Sequence, residues 1–278
     1  MRTPLFAAAL SPLALALALA STPALAKNRD TLWDIISTRC VPAAQASRGA
    51  QLPPPCAGVQ LPADPSQGWA LMKDRRGVLQ YLLLPTARIT GIESPALLDP
   101  RTPNFFAQAW RSRHLLDRLH GQPLPRDAVS LALNPIPRRS QDQLHIHISC
   151  VRPELHARLA AAQSEITPDW TPLQGGWLRH AWHVRRVDAD TLDGINPVTD
   201  VVAHVPGAAD DMRIVGISVV GMTFNNGKPG FVLMATRYDA RDRSSGSAEH
   251  DVQDHDCATL SGKLTSDMPE SQMTGAED

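Results

Sequence analysis

The sequence predicts an α+β fold, with a mainly antiparallel sheet and a long helix packed on it. Three observations lead there. The segments run strand–strand–helix–strand–strand rather than in strict β-α-β units. The strand candidates are short and end at Pro, Gly or charged turns. One stretch, 102–121, keeps a helical apolar face over its whole length. The chain has 278 residues, 43% hydrophobic and 20% charged, which suits one elaborated domain or at most two. Its 27 basic groups nearly cancel its 28 acidic ones, a net of -1, so neither a dedicated nucleic-acid binder nor an acidic disordered chain is expected.

Residues 1–26 come first. Arg2 is the only charge before Lys27, and Ala24-Leu25-Ala26 closes the apolar run with the small-x-small pattern of a signal-peptidase site. The alternative is an uncleaved single-pass anchor, since about 20 apolar residues span a bilayer. Both readings put the body on the periplasmic side of the inner membrane. Residues 27–65 form an N-terminal unit: a short helix at 30–40 with Leu32, Trp33, Ile35 and Ile36 apolar, then a Pro-rich tethered loop at 41–65. Residues 66–258 are expected to form the main folded domain.

Within that domain, 69–72 and 78–84 read as strands around the turn Arg75-Arg76-Gly77, and Pro85 ends the second. The helix at 102–121 starts at Thr102-Pro103, stops at Gly121, and presents Phe106, Ala109, Trp110, Leu115, Leu116 and Leu119. Strands follow at 128–133 and 144–151, then a helix at 153–165. A strand at 182–187, a short helix at 199–205, and a hairpin of 212–222 with 230–237 across Asn225-Asn226-Gly227 complete the pattern. Residues 259–278 read as an acidic tail, disordered from 267 onward.

Cys40, Cys56, Cys150 and Cys257 show no metal-ligand spacing. In an oxidising compartment four cysteines mean two disulfides, with three connectivities open. The working expectation is Cys40–Cys56, closing the Pro-rich loop, and Cys150–Cys257, tying the C-terminal end to the central strand.

The chemistry concentrates in Leu144-His145-Ile146-His147-Ile148-Ser149-Cys150. Strand alternation puts His145, His147 and Ser149 on one face and Ile146, Ile148 and Cys150 in the core. One use of such a pair is metal ligation, with a third ligand from His180, His183 or Asp142. The other is nucleophilic attack by imidazole on phosphorus, which splits one hard displacement into two. His147-Ile148-Ser149 is a single copy of the H-x-S/T element that a two-histidine phosphoesterase repeats. Gly175-Gly176 lacks the strand and helix flanks of a phosphate loop, and Trp170, Trp177 and Trp182 suit packing better than a membrane interface.

The run His145-Ile146-His147-Ile148-Ser149 resembles the histidine-triad signature, and Asn134, eleven residues before His145, resembles the asparagine of that superfamily. More specifically, Leu79-Gln80-Tyr81-Leu82-Leu83, Thr102-Pro103-Asn104-Phe105-Phe106, Ala128-Val129-Ser130-Leu131-Ala132 and the motif strand together resemble the CDP-diacylglycerol pyrophosphatase family, from about 30 to 257. The resemblance implies a histidine-triad-like fold and hydrolysis of CDP-diacylglycerol to CMP and phosphatidate at a membrane lipid surface. It also implies no cofactor and no metal in the covalent step, a divalent ion on the diphosphate staying open. By the same carry-over His147 attacks the phosphorus next to cytidine and His145 supports the site. Ser149 stands where the triad has its third histidine, and a hydroxyl cannot act as imidazolium; it is expected to bond a phosphate oxygen. Asn134 is expected to steady the His147 loop or to touch the ribose or phosphate of the substrate. Gln141 and Asp142 are expected on the phosphate side, with Arg138 and Arg139 against the diphosphate. A metal-dependent phosphoesterase and an exported, non-catalytic lipid- or nucleotide-binding module are the alternatives.

Charge is unevenly spread. Residues 249–278 hold eight acidic groups against Lys263, a net of -7, while 27–248 hold 25 basic and 20 acidic groups, a net of +5. The expectation is a mildly basic body, suited to anionic lipid, masked by an acidic tail.

Overall fold

The computed structural model describes residues 28–46 and 51–260. The leader at 1–26 and the stretch at 267–278 lie outside them. The chain opens with a continuous helical run: α1 (Thr31–Ile35), a π turn (Ile36–Cys40) and α2 (Val41–Ala46). It then forms β1 (Cys56–Gln60), so the expected tethered loop is part helix and part edge strand. Pro42 is tolerated because the wider π turn ahead of it accommodates its ring, and the Cys40–Cys56 disulfide holds the strand under the helix.

Strands β2 (Trp69–Lys73) and β3 (Tyr81–Pro85) fall where expected. The long helix does not form. It is two helices, α3 (Phe105–Arg111) and α4 (His114–His120), broken at Ser112-Arg113. The Ser112 hydroxyl donates to the Gln108 carbonyl at 2.8 Å, and Arg113 Nη1 to the Trp110 carbonyl at 2.9 Å. These side chains tighten the turn and take over its carbonyls, while the apolar spacing that suggested one helix continues across the break. Gly121, at φ 82°, ends α4 as a left-handed cap.

Next come β4 (Val129–Leu133), β5 (Ile146–Val151), α5 (Pro153–Ala161), β6 (Thr171–Pro172), β7 (Trp182–Val187) and α6 (Pro197–His204). The hairpin is β8 (Val215–Thr223) and β9 (Pro229–Arg237), followed by α7 (Ala248–Val252) and β10 (Gln253–Asp254). All ten strands join one antiparallel sheet in the order β1-β2-β3-β5-β4-β8-β9-β7-β6, with β10 paired to β5. The mixed α and β class with a large antiparallel sheet is thus as expected, carried by short helices.

Alternation along the strands sorts the two faces. One carries the main core, where Leu83, Leu131, Ile146, Ile148 and Ile217 pack with Phe105, Phe106, Trp110, Leu116 and Val201 from α3, α4 and α6. The other face carries two separate apolar clusters, one under α1 with Met72, Leu82 and Leu84, the other under α5 with Trp182, Val220 and Met234. Between them runs a polar strip. His147 and Ser149 on β5, Ser130 on β4 and Ser218 on β8 supply its side chains.

The C-terminal segment covers that strip. A Cβ on Gly216 would stand 2.8 Å from the Gly246 carbonyl, so only glycine lets the chain cross β8 this closely. The Gln253 amide donates to the Ser130 and His147 carbonyls at 3.0 and 3.2 Å, and Leu79 N–H to the His255 carbonyl at 3.1 Å. The second disulfide, Cys150–Cys257, ties the segment to β5, and both bonds match the expected pairing. The polar sequence after Asp239 is therefore structured as far as 260, and Glu249 and Asp251 belong to the folded body rather than to an acidic tail. No helix among the described residues is long and apolar enough to cross a membrane.

Candidate active site

His147 lies on the second face of β5 and His145 just ahead of the strand, so the two rings stand side by side with centroids 5.0 Å apart. Their hydrogen bonds differ. His145 Nδ1 lies 2.7 Å from the Gln143 carbonyl, which only accepts; Nδ1 therefore carries the proton and Nε2 keeps its lone pair. His147 Nδ1 lies 2.9 Å from the amide nitrogen of Gln80. That nitrogen also faces carboxylates of Asp74 at 3.1 Å and Glu249 at 3.4 Å, which identifies it as the donor end of the amide. His147 Nδ1 accepts, and its proton sits on Nε2, 3.3 Å from Oε2 of Glu249.

Burial, with His147 beside it, pushes the His145 ring down to about 4, so it is neutral at ordinary pH. Glu249, in the first turn of α7, is held by Asn134: Nδ2 donates to Oε2 at 2.9 Å, and Oδ1 accepts the Glu249 backbone N–H at 3.1 Å. His255 Nε2 stands 3.5 Å from Oε1. Burial alone would raise the Glu249 carboxyl; the His147, His255 and His145 rings and the Asn134 amide outweigh it and hold it below its ordinary value.

His145, His147, Asn134 and Glu249 share a cleft of about 340 Å³. Leu32 and Ile35 of α1 form an apolar wall with Pro55, Met72 and Leu82, and Lys73, Arg75, Arg76 and Arg138 supply cations. Lys73 Nζ donates to the Asp74 and Gly77 carbonyls at 2.7 and 3.0 Å, which aims it along the β2–β3 turn. Arg75 and Arg76 are exposed on that turn, and neither side chain is engaged by another group among the described residues.

The sequence-derived candidates divide accordingly. His145, His147, Asn134, Gln141, Arg138 and Arg139 line the cleft; Ser149 and Asp142 do not. Ser149 is fully buried and donates its hydroxyl to the Leu79 carbonyl at 2.6 Å, beneath the C-terminal segment. Arg139 is already matched, with Nη1 and Nη2 at 2.6 and 2.8 Å from the Glu93 carboxylate and Nη2 3.2 Å from Asp142. Asp142 also takes a two-pronged bond from Arg29 at 2.6 and 2.8 Å; that guanidinium, with Arg139, holds its carboxyl at about 2. Gln141 accepts Leu32 N–H at 3.1 Å and donates to the Asn28 carbonyl at 3.0 Å. Gln141 and Asp142 therefore dock the start of the N-terminal helix, and so place the apolar wall. Arg138 reaches the Arg243 carbonyl at 2.7 Å from the rim.

Of the residues weighed as a third metal ligand, His180 and Asp142 have other partners. His180 Nδ1 is 2.8 Å from Asp251 and its Nε2 3.1 Å from Ser244 Oγ, whose own proton goes to Asp242 at 2.5 Å. His183 lies on β7, which β4, β8 and β9 separate from β5. Trp182 is buried in the core, and Trp177 donates to the Asp251 carbonyl at 2.7 Å, so both serve packing. Gln80, Glu249, His255 and the Arg75-Arg76 pair escaped the sequence reading, because nothing in their local spacing distinguishes them from turn or surface residues.

A neutral imidazole with a free lone pair takes over a phosphoryl group readily, and the unpaired cations beside it suit a polyanion. Such a site, on an antiparallel sheet, suits a hydrolase of phosphoric anhydrides. A family model described as CDP-diacylglycerol pyrophosphatase matches residues 27–261. A Yersinia pestis protein named CDP-diacylglycerol pyrophosphatase is 40% identical over 233 residues, 84% of this chain and 86% of that protein. The chain belongs to the CDP-diacylglycerol pyrophosphatase family.

Proposed function

We propose that the protein hydrolyses CDP-diacylglycerol to CMP and phosphatidate through a nucleotidyl-histidine intermediate. The observation that carries this reading is the pair of differently hydrogen-bonded imidazoles beside unpaired cations in one cleft. The sequence assigned the attack to His147; the hydrogen bonds favour His145. Only His145 has Nδ1 protonated against a carbonyl and Nε2 without a partner among the described residues. His147 Nε2 is shut in against Glu249. In the first step His145 Nε2 bonds to the cytidylyl phosphorus and the bond to the phosphatidyl oxygen breaks. Phosphatidate departs as a phosphate, which needs little acid assistance, so the triad-like pattern can carry Ser149 in its third place, buried and structural.

The cleft's volume, about 340 Å³, is at the small end for ligand pockets and suits the nucleotide head group. The acyl chains stay outside it, in the lipid surface from which the enzyme draws its substrate. The two disulfides support an oxidising, periplasmic setting.

A substrate panel tests the assignment. CDP-diacylglycerol is expected to be turned over in EDTA and in preference to water-soluble nucleotide diphosphates. Equal rates on the soluble compounds would remove the lipid assignment, and loss of activity in EDTA with rescue by zinc would favour the metal reading. Reversing Arg75 and Arg76 to glutamate is expected to raise KM about tenfold or more, with a smaller change in kcat, because each charge-assisted phosphate bond contributes roughly 1.5–3 kcal/mol.

A further inference from the structure

Glu249 is the anomaly of this cleft. A partly buried carboxylate repels a diphosphate, yet Asn134 holds it there at 2.9 Å, with His147 Nε2 at 3.3 Å and the Gln80 amide nitrogen at 3.4 Å alongside. Placing an anion against an anionic substrate weakens binding, so its presence calls for a chemical task that needs a base. The two oxygens are held unequally. Oε2 faces the Asn134 amide and the His147 Nε2–H, while Oε1 has only the long contacts to Gln80 and to His255 at 3.5 Å. Oε1 is the oxygen left able to take a proton.

We propose that Glu249 is the base of the second half-reaction, activating the water that frees CMP from His145, with His147, Asn134 and Gln80 as positioning residues. The inference rests on the covalent reading. Once phosphatidate has left, a water oxygen bonds to the phosphorus and its proton passes to Glu249. The P–N bond breaks and its electron pair returns to His145 Nε2. CMP departs, and Glu249 releases the proton to solvent. The first step needs no base, since His145 already holds a free lone pair, so Glu249 acts on one half-reaction only. The His147–Glu249 contact then has a purpose that needs no attack by His147: the ring packs at 3.3 Å beside Oε2, which the Asn134 amide holds, and leaves Oε1 toward the water.

The test is rapid-quench measurement of both products with the E249Q variant. Phosphatidate is expected in a burst of about one per active site. CMP release is expected to fall about 10²–10³-fold, the range of general-base catalysis, with a CMP adduct on His145 accumulating. E249D, which keeps the charge, is expected to break the adduct down at an intermediate rate. Azide is expected to speed adduct loss in E249A and to leave the wild type unchanged, a response that a merely structural glutamate would not produce. An adduct that decays in E249Q as fast as in the wild type would overturn the role of Glu249 while sparing the covalent route. Phosphatidate and CMP released in step, without adduct in any variant, would overturn both.

Discussion

Replacing His145 with asparagine is expected to lower turnover by roughly 10³-fold or more, with the fold intact, because the variant loses the attacking nitrogen. Asparagine retains a donor for the Gln143 carbonyl, which is the hydrogen bond that the ring makes from Nδ1. The same change at His147 is expected to cost less, on the order of 10²-fold, since there it removes the partner of Glu249 rather than the nucleophile. The reverse order would return the attack to His147. The pH profile gives a second reading. The His145 ring is held down to about 4, so its lone pair persists as the pH falls below 6.5 and is lost only on passing through about 4. At about pH 5.5 an ordinary imidazole would keep roughly a tenth of its neutral form, and His145 nearly all of it. Glu249, held below its ordinary value, is ionised at pH 5.5 as well. The acid limb of kcat/KM is therefore expected below pH 5, and a midpoint near 6.5 would identify an unperturbed histidine as the nucleophile.

The fold was legible wherever side chains alternate against a core. β2, β3, β4, β5, β7 and the β8–β9 hairpin lie within a few residues of their expected places, because Pro, Gly and Asn-Asn-Gly signals bound them. The errors have local causes. Apolar spacing runs through Ser112-Arg113 although side-chain bonds to the carbonyls break the helix there. β1 was hidden among prolines, since a disulfide and pairing with β2 form it rather than its own propensity. For the site, alternation brought His145 and His147 forward, and Asn134 followed from the resemblance to the histidine-triad signature. Glu249 could not be found in this way. It lies in a polar, aperiodic stretch that reads as tail, and only the chain's return across β8 brings it to His147. The arginines show the same limit in reverse: Arg139 stands out in a basic turn, yet Glu93 and Asp142 already neutralise it.

That dependence on the returning segment gives the second large effect. Changing Cys150 and Cys257 together to serine is expected to destabilise the protein by on the order of 4–5 kcal/mol, the chain-entropy value for a long closed loop; the cysteines are 107 residues apart. The Cys40–Cys56 bond, at a separation of 16, is expected to contribute about 3 kcal/mol on the same basis. Denaturant melts of the two double variants measure the difference, and an equal or reversed ranking would show that loop closure is not the main effect. The functional consequences should separate more sharply. Without Cys150–Cys257, the segment that carries Glu249 loses its covalent tie to β5 and is held by hydrogen bonds alone, among them those to Ser130, His147, Leu79, Asn134 and Trp177 and the short β10–β5 pairing. CMP release should then slow even where the variant is still folded, while the phosphatidate burst survives. Loss of Cys40–Cys56 loosens α1 instead, whose Leu32 and Ile35 wall the cleft, and should raise KM with the adduct lifetime unchanged. The two disulfides thus fix different halves of the site, and a burst with the first variant but not the second is the result that this division requires.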